Sequence, residues 1–256
     1  MSDEARLNSP ATFKGGSYNI HKAIGTDRKR NPLRILNVLN ELDADMVVLQ
    51  EADRRFGKRT SALPPLLIGN HTDYTPVPLD VQRDSIGWHG NAILVRSSIA
   101  VEAHDIIHIP YLEPRGVVFS RFKIAGHMIA VFGMHLDLSG LWRGRQARTI
   151  TDLARQASQD MPTLLMGDLN EWRANAGCFR EFSRHFHILD CGRSFHSRRP
   201  LGKLDRIMHC NRLEAIECGV HRSTLSVLAS DHLPVWAELK VRPPMSPSDS
   251  KGNLGG

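Results

Sequence analysis

The run Pro162-Thr163-Leu164-Leu165-Met166-Gly167-Asp168-Leu169-Asn170 is short, apolar through its middle and closed at both ends by residues that interrupt regular structure. Thr163–Met166 therefore reads as a buried strand, too short for a helix, with a carboxylate just past its end. Met46-Val47-Val48-Leu49-Gln50 is a second run of the same kind, β-branched in its middle, and it ends at Glu51. Asp231-His232 sits just before a third, Val235–Val241. An ionised carboxylate at the end of a buried strand is costly unless it is paired, hydrogen-bonded or bound to a cation. Three such places, far apart in the chain, imply one shared site on the rim of a sheet.

Further strands are expected at Asn91–Val95, Val117–Phe122 and Met128–His135. Asn31-Pro32 carries a capping side chain followed by proline, and Leu33, Leu36, Leu39 and Leu42 recur at helical spacing, which predicts a helix over 32–43. Ala147, Ile150, Ala154 and Ala157 predict a second over 143–158. Helices interleaved with strands indicate a layered α/β fold. The Gly15-Gly16 break and the polar start suggest a flexible N-terminus over 1–16. Pro243-Pro244-Met245-Ser246-Pro247 opens a stretch too poor in apolar residues to order itself, a disordered tail over 243–256. Between them, 17–242 reads as a single domain without internal repeats.

Of the 256 residues, 41% are hydrophobic and 23% charged, which excludes wholesale disorder. Lys and Arg number 33 against 27 Asp and Glu, a net charge of +6 that favours anionic partners without choosing among them. The four cysteines show no CxxC spacing, so neither a disulfide framework nor a structural zinc site is indicated. No run approaches the ~18 apolar residues needed to span a bilayer, and the charged start lacks a signal-like stretch. The expectation is a cytoplasmic monomer without membrane insertion.

Six polar segments stand out: Ser17-Tyr18-Asn19-Ile20-His21, Leu49-Gln50-Glu51-Ala52-Asp53, Gly133-Met134-His135-Leu136-Asp137, Met166-Gly167-Asp168-Leu169-Asn170, Leu204-Asp205-Arg206-Ile207 and Ser230-Asp231-His232-Leu233-Pro234. In this order and spacing they resemble the endonuclease/exonuclease/phosphatase superfamily of metal-dependent phosphoesterases, which includes DNase I-like nucleases. The likeness covers about residues 17–241 and is strongest to small bacterial members of unassigned substrate, which share the run Tyr18-Asn19-Ile20-His21-Lys22. It implies a four-layer α/β sandwich, two facing β-sheets flanked by helices.

Phosphate-ester hydrolysis requires a cation on the phosphoryl oxygens, an activated water and help for the leaving oxygen. Glu51 is a hard oxygen ligand suited to Mg²⁺ or Mn²⁺, and the resemblance has Asn19 and Asp231 complete or support that metal site. Asp168 and Asn170 are two residues apart, so an extended chain would turn both to one face, the carboxylate taking a proton from water and the amide holding the water or a phosphate oxygen. His232 can donate to developing charge or take a proton near neutral pH, and Asp205 is the partner that would fix its tautomer. By resemblance, His135 contacts the scissile phosphate, and Arg115 and His21 are substrate-binding. Which group is general base and which general acid stays open, as does one metal ion versus two. Some DNA-repair members carry a carboxylate where this chain has His21, so abasic-site specificity is not implied.

The reading is a divalent-metal-dependent phosphodiesterase acting on a phosphate-ester substrate. The alternatives are a sequence-nonspecific DNA or RNA nuclease and a non-catalytic phosphate-binding scaffold. Basic groups scatter over 28–30, 54–59, 143–148 and 193–206 without an evident stripe, which favours a small phosphoester over duplex DNA. Arg143, Arg145 and Arg148 read as a solvated helix face. Trp88 and Trp142 read either as a stacking platform for bases or as packing.

Overall fold

The computed structural model describes residues 11–53, 60–79, 84–174 and 176–242. Residues 1–10, the tail expected over 243–256 and the basic cluster at 54–59 lie outside the described residues. In chain order the elements are β1 (Thr12–Asn19), α1 (Pro32–Leu42), β2 (Met46–Gln50), α2 (Pro65–His71), β3 (Tyr74–Pro76), β4 (Ala92–Arg96), β5 (Ala100–Ile107), β6 (Val117–Ile124), β7 (His127–His135), α3 (Gly140–Asp160), β8 (Thr163–Asp168), α4 (Gly177–Phe182), β9 (His187–Ile188), β10 (Asp205–His209), β11 (Leu213–Val220), α5 (Thr224–Ala229) and β12 (Val235–Val241).

Two six-stranded sheets result, ordered β11-β12-β1-β2-β4-β3 and β5-β6-β7-β8-β10-β9. A central core that draws Phe13, Met46, Val48 and Leu239 from the first sheet and Phe122, Val131, Leu164 and Ile207 from the second fills the space between them. On the outside of the first sheet, Ile35, Leu36, Leu39 and Leu42 of α1 pack with Val47, Leu49 and Leu94. On the outside of the second, Ala147, Ile150 and Ala154 of α3 and Phe179 and Phe182 of α4 pack with Phe132, Leu165 and Met208. The order helix, sheet, sheet, helix is the expected four-layer sandwich.

Local chemistry accounts for the elements. The Asn31 side chain accepts from the Arg34 N–H at 3.1 Å and Pro32 occupies the first turn of α1, a cap contributing about 1 kcal/mol. Each fully buried aliphatic side chain on its inner face contributes roughly 1.5–3 kcal/mol, so the face outweighs the cap several-fold. β12 alternates buried and half-buried residues along its length, the pattern of a strand with unequal faces.

The N-terminal expectation is corrected: β1 starts at Thr12, inside the stretch read as flexible. Gly15-Gly16 is not a break but a place of close approach. A Cβ on Gly15 would meet Leu164 of the facing sheet at 3.1 Å, and one on Gly16 would meet Leu42 of α1 at 2.9 Å.

The topology decides where the site falls. Among the described residues two strand pairs are parallel, β1 with β2 and β7 with β8, one in each sheet. A parallel pair needs a long crossover, and α1 and α3 supply the two. Asn19 pairs with Gln50 at one pair's carboxyl end, and His135 pairs with Asp168 at the other's. β10 runs antiparallel to β8 and begins at Asp205 opposite Asp168. β12 runs antiparallel to β1, which returns Ser230–Pro234 to the same rim. Ligand sites in α/β sheets form at the carboxyl ends of parallel strands, and here two such ends meet.

Candidate active site

Asp168 is the hub. It is 1% exposed, and its Oδ2 accepts from Asn19 Nδ2 at 3.0 Å across the interface between the sheets. The same oxygen lies 3.5 Å from His135 Nε2 and 3.7 Å from His232 Nε2. Its other oxygen accepts the Asn170 backbone N–H at 2.9 Å. The neighbouring glycine is required: a Cβ on Gly167 would stand 1.9 Å from the Met134 carbonyl oxygen. Glycine thus lets β8 lie against β7 where the two side chains must converge.

Behind His232 stands Asp205, whose Oδ2 takes the ring's Nδ1 at 2.8 Å and the Ser194 hydroxyl at 2.5 Å. Behind His135 stands Arg115, donating through Nη1 to His135 Nδ1 at 2.9 Å and through Nη2 to Glu113 at 3.1 Å. An arginine can only donate, so Nδ1 of His135 accepts and Nε2 of the neutral ring carries the proton that faces Asp168. The loop bearing Arg115 is pinned by Asp137, whose Oδ2 accepts the N–H groups of Leu112 and Glu113.

The two imidazoles are driven in opposite directions. Burial, reinforced by Arg115, His232 and Lys22, pushes His135 down to about 3 against the pull of Asp168. Burial also opposes charge on His232, but Asp205, Asp168 and the hydrogen bond to Asp205 prevail and raise it to about 10. At neutral pH one ring is therefore uncharged and the other an imidazolium, with one carboxylate oxygen between them. Such opposed shifts are how a site separates donor from acceptor roles.

Several expectations need amendment. Asn170 is not extended: it sits at φ +49°, and its amide nitrogen donates to the Leu136 carbonyl at 2.9 Å. β8 ends at Asp168, and the Asp168–Asn170 turn is closed by the side chain bonding its own backbone. Arg143 is not solvated. It is 8% exposed, clamps Glu171 at 2.8 and 3.0 Å and donates to the Asp137 and Leu138 carbonyls, whereas Arg145 and Arg148 are exposed as expected. Trp88 is core packing, edge-on to His108 at 4.8 Å, and Trp142 lies half-buried beneath the Arg145 guanidinium.

Glu51, Asp231 and His21 occupy the mouth. Glu51 follows β2 in a left-handed conformation, φ +53°, and its carboxylate is ion-paired with Lys22. Asp231 lies 3.7 Å from His21 Nδ1 and accepts from Ser230, which also bonds the Asn19 carbonyl at 2.7 Å. Two sets could hold a divalent ion. Asp168, Asp205 and His232 bring ligand atoms within 4.8 Å of one another among the described residues. A ligating histidine must be neutral with a free lone pair, however, and His232 is held protonated with Nδ1 bound to Asp205. At the mouth Glu51 and Asp231 offer carboxylate oxygens, and Glu51 already takes up the cationic side chain of Lys22. That chemistry suits Mg²⁺ or Mn²⁺. Sequence reasoning missed Lys22, Ser194, Phe195 and Trp172. Lys22 alone had a signal, its place in the Tyr18–Lys22 run.

The chain is similar to known proteins over most of its length. The Escherichia coli (strain K12) protein YbhP is 27% identical over 253 residues, covering 90% of this chain and 97% of that protein. An endonuclease/exonuclease/phosphatase family protein from Bacteroides thetaiotaomicron superposes with a TM-score of 0.73 at 17% identity, covering 91% of this chain and 96% of that one. The human Nocturnin catalytic domain with bound sulfate anion does so with a TM-score of 0.68 at 16% identity, covering 91% and 94%. The profile of the Endonuclease/Exonuclease/phosphatase family matches residues 16–232, a span that contains both parallel-strand ends and every residue gathered around Asp168. The chain belongs to that family.

Proposed function

We propose that this protein is a divalent-metal-dependent phosphodiesterase that hydrolyses its substrate by in-line attack of water. The observation that carries the reading is the meeting of Asp168 with a neutral His135, a cationic His232 and Asn19 at the shared rim of the two sheets. Family membership supports phosphate-ester hydrolysis as the reaction class, and the Nocturnin catalytic domain, which has the same fold, carries a bound sulfate anion.

Glu51 is the principal ligand we assign to Mg²⁺ or Mn²⁺, with Asn19 and Asp231 beside it. When bound, the ion neutralises charge that builds on the phosphoryl oxygens. The chain's own groups do the rest. Asp168 takes the proton of the attacking water. Asn170, whose amide nitrogen is engaged by Leu136, has its carbonyl oxygen to orient that water. His232, held as an imidazolium by Asp205, donates to the developing charge. His135 turns Nε2–H into the site under the hold of Arg115. His21 lines the mouth as a substrate contact.

The test is turnover of bis-p-nitrophenyl phosphate. Mg²⁺ or Mn²⁺ should support it, and EDTA or Glu51→Gln should each remove nearly all of it. Full activity in chelator would overturn the metal assignment. Absence of turnover on this diester and on nucleotide and lipid diesters, with the fold intact, would favour a phosphate-binding scaffold.

A further inference from the structure

Trp172 is 62% exposed, two residues beyond Asn170, on the rim of the site. Tryptophan removes more apolar surface from water than other side chains when it can, so an indole held in the open beside a reaction centre calls for a reason. Its position is fixed. One side lies over Gly202, where a Cβ would come within 3.0 Å of the ring. Its edge meets Phe195 at 5.8 Å between centroids and 87° between planes. Phe195 in turn packs against His232, centroids 4.8 Å apart and planes tilted by 51°. A continuous aromatic path therefore runs from the imidazolium to the exposed indole.

Beyond Trp172 opens a cavity of about 600 Å³ lined by Gly140, Arg143, Glu171, Arg173, Gly177 and Arg180, together with the indole. That volume falls within the roughly 300–1,000 Å³ of small-molecule sites. Arg143 and Glu171 neutralise each other at its back. Arg173 and Arg180 are exposed, which gives the cleft a net positive lining. A flat apolar face beside two guanidinium groups suits a ligand that is planar at one end and anionic at the other.

We propose that the Trp172 cleft binds a nucleotide unit adjoining the scissile phosphate, its base on the indole and its phosphate toward Arg173 and Arg180. This rests on the phosphodiesterase reading and narrows it: the substrate is a small nucleotide diester, recognised one base at a time. Stacking accepts any base, because every base presents a π face, so the subsite selects for a ring rather than for sequence. A phospholipid diester has no planar aromatic ring to place there.

Binding tests this without turnover. Adenosine 5′-monophosphate and ribose 5-phosphate carry the same charge and differ only by the base. By calorimetry with Mg²⁺ present, the wild-type protein should prefer the nucleotide by about 5- to 150-fold, the range expected for one base stacked on one aromatic ring. Trp172→Leu should abolish the preference, Trp172→Tyr should keep most of it, and the arginine changes Arg173→Gln and Arg180→Gln should weaken both ligands alike. Equal affinities in the wild-type protein, or an undiminished preference in Trp172→Leu, would overturn the proposal. The two readings separate cleanly. Base preference without diester turnover sinks the catalytic reading and leaves the subsite, whereas turnover without base preference does the reverse.

Discussion

Asp205→Asn perturbs the His232 pair at its most informative point. In the native protein the ring is raised from 6.5 to about 10, which corresponds to about 5 kcal/mol of preference for the charged form. Burial works against that charge, and among the groups that overcome it Asp205 comes first, through both its charge and its hydrogen bond. Asparagine keeps the size and can still accept from Ser194, but it removes the charge. Burial then faces Asp168 with little help, and the ring should become neutral across the window from pH 6.5 to about 10 in which the native ring is protonated. The sign for stability follows. Because the folded value is raised, the native pair stabilises the fold fully below pH 6.5, and that contribution is lost as pH rises through about 10; in the variant it is largely absent throughout. Loss of a charged donor from the site should also lower turnover by about 10²–10⁴. The assay is NMR titration of the His232 imidazole, its resonances assigned by their loss in His232→Ala, alongside kcat/KM. A ring that stays protonated through that window in Asp205→Asn would refute the coupled pair.

Other perturbations have equally definite outcomes. In kcat/KM, the double change His232→Ala with Asp205→Asn should cost little more than the worse single change, because the two act as a unit; costs that multiply would separate them. Arg143→Met leaves Glu171 buried without its cation and should destabilise by about 3–5 kcal/mol, a Tm loss of roughly 6–20 °C by thermal unfolding. His135 is lowered from 6.5 to about 3 in the fold, so the unfolded chain takes up its proton first and stability falls as pH drops from 6.5 toward 3. His135→Gln should flatten that part of the stability-versus-pH curve.

The elements that were legible in sequence are those whose pattern has one physical explanation. Met46–Gln50 has the observed bounds because a short apolar run between polar stops reads as a buried strand, and Val235–Val241 because Val235, Ala237, Leu239 and Val241 alternate as the buried face of a strand does. The rim on which the candidate residues gather was legible because Glu51 and Asp168 stand at strand ends and Asp231 lies four residues before β12. Gly15-Gly16 was misread because a glycine required by close packing looks, in sequence, like one that frees the chain. Arg143 lies four residues before Ala147, on the face that also carries Ile150 and Ala154, so helical spacing already placed it inside; its charge argued otherwise, and Glu171, distant in the chain, resolves the conflict. Ser194, Phe195 and Trp172 carry no local mark. Their roles come from tertiary neighbours, Asp205, His232 and Gly202, which no spacing rule connects to them.

The central claim is that Asp168, held by Asn19 between a neutral and a cationic histidine, takes the proton of the water that cleaves a phosphodiester. The most direct measurement is single-turnover hydrolysis of bis-p-nitrophenyl phosphate by Asp168→Asn beside the wild-type protein, both in Mg²⁺, with the fold of each confirmed by thermal unfolding. The account predicts at least about a 10²-fold loss in the chemical step, the low end for removing a general base. Turnover of Asp168→Asn within a few-fold of wild type would contradict it.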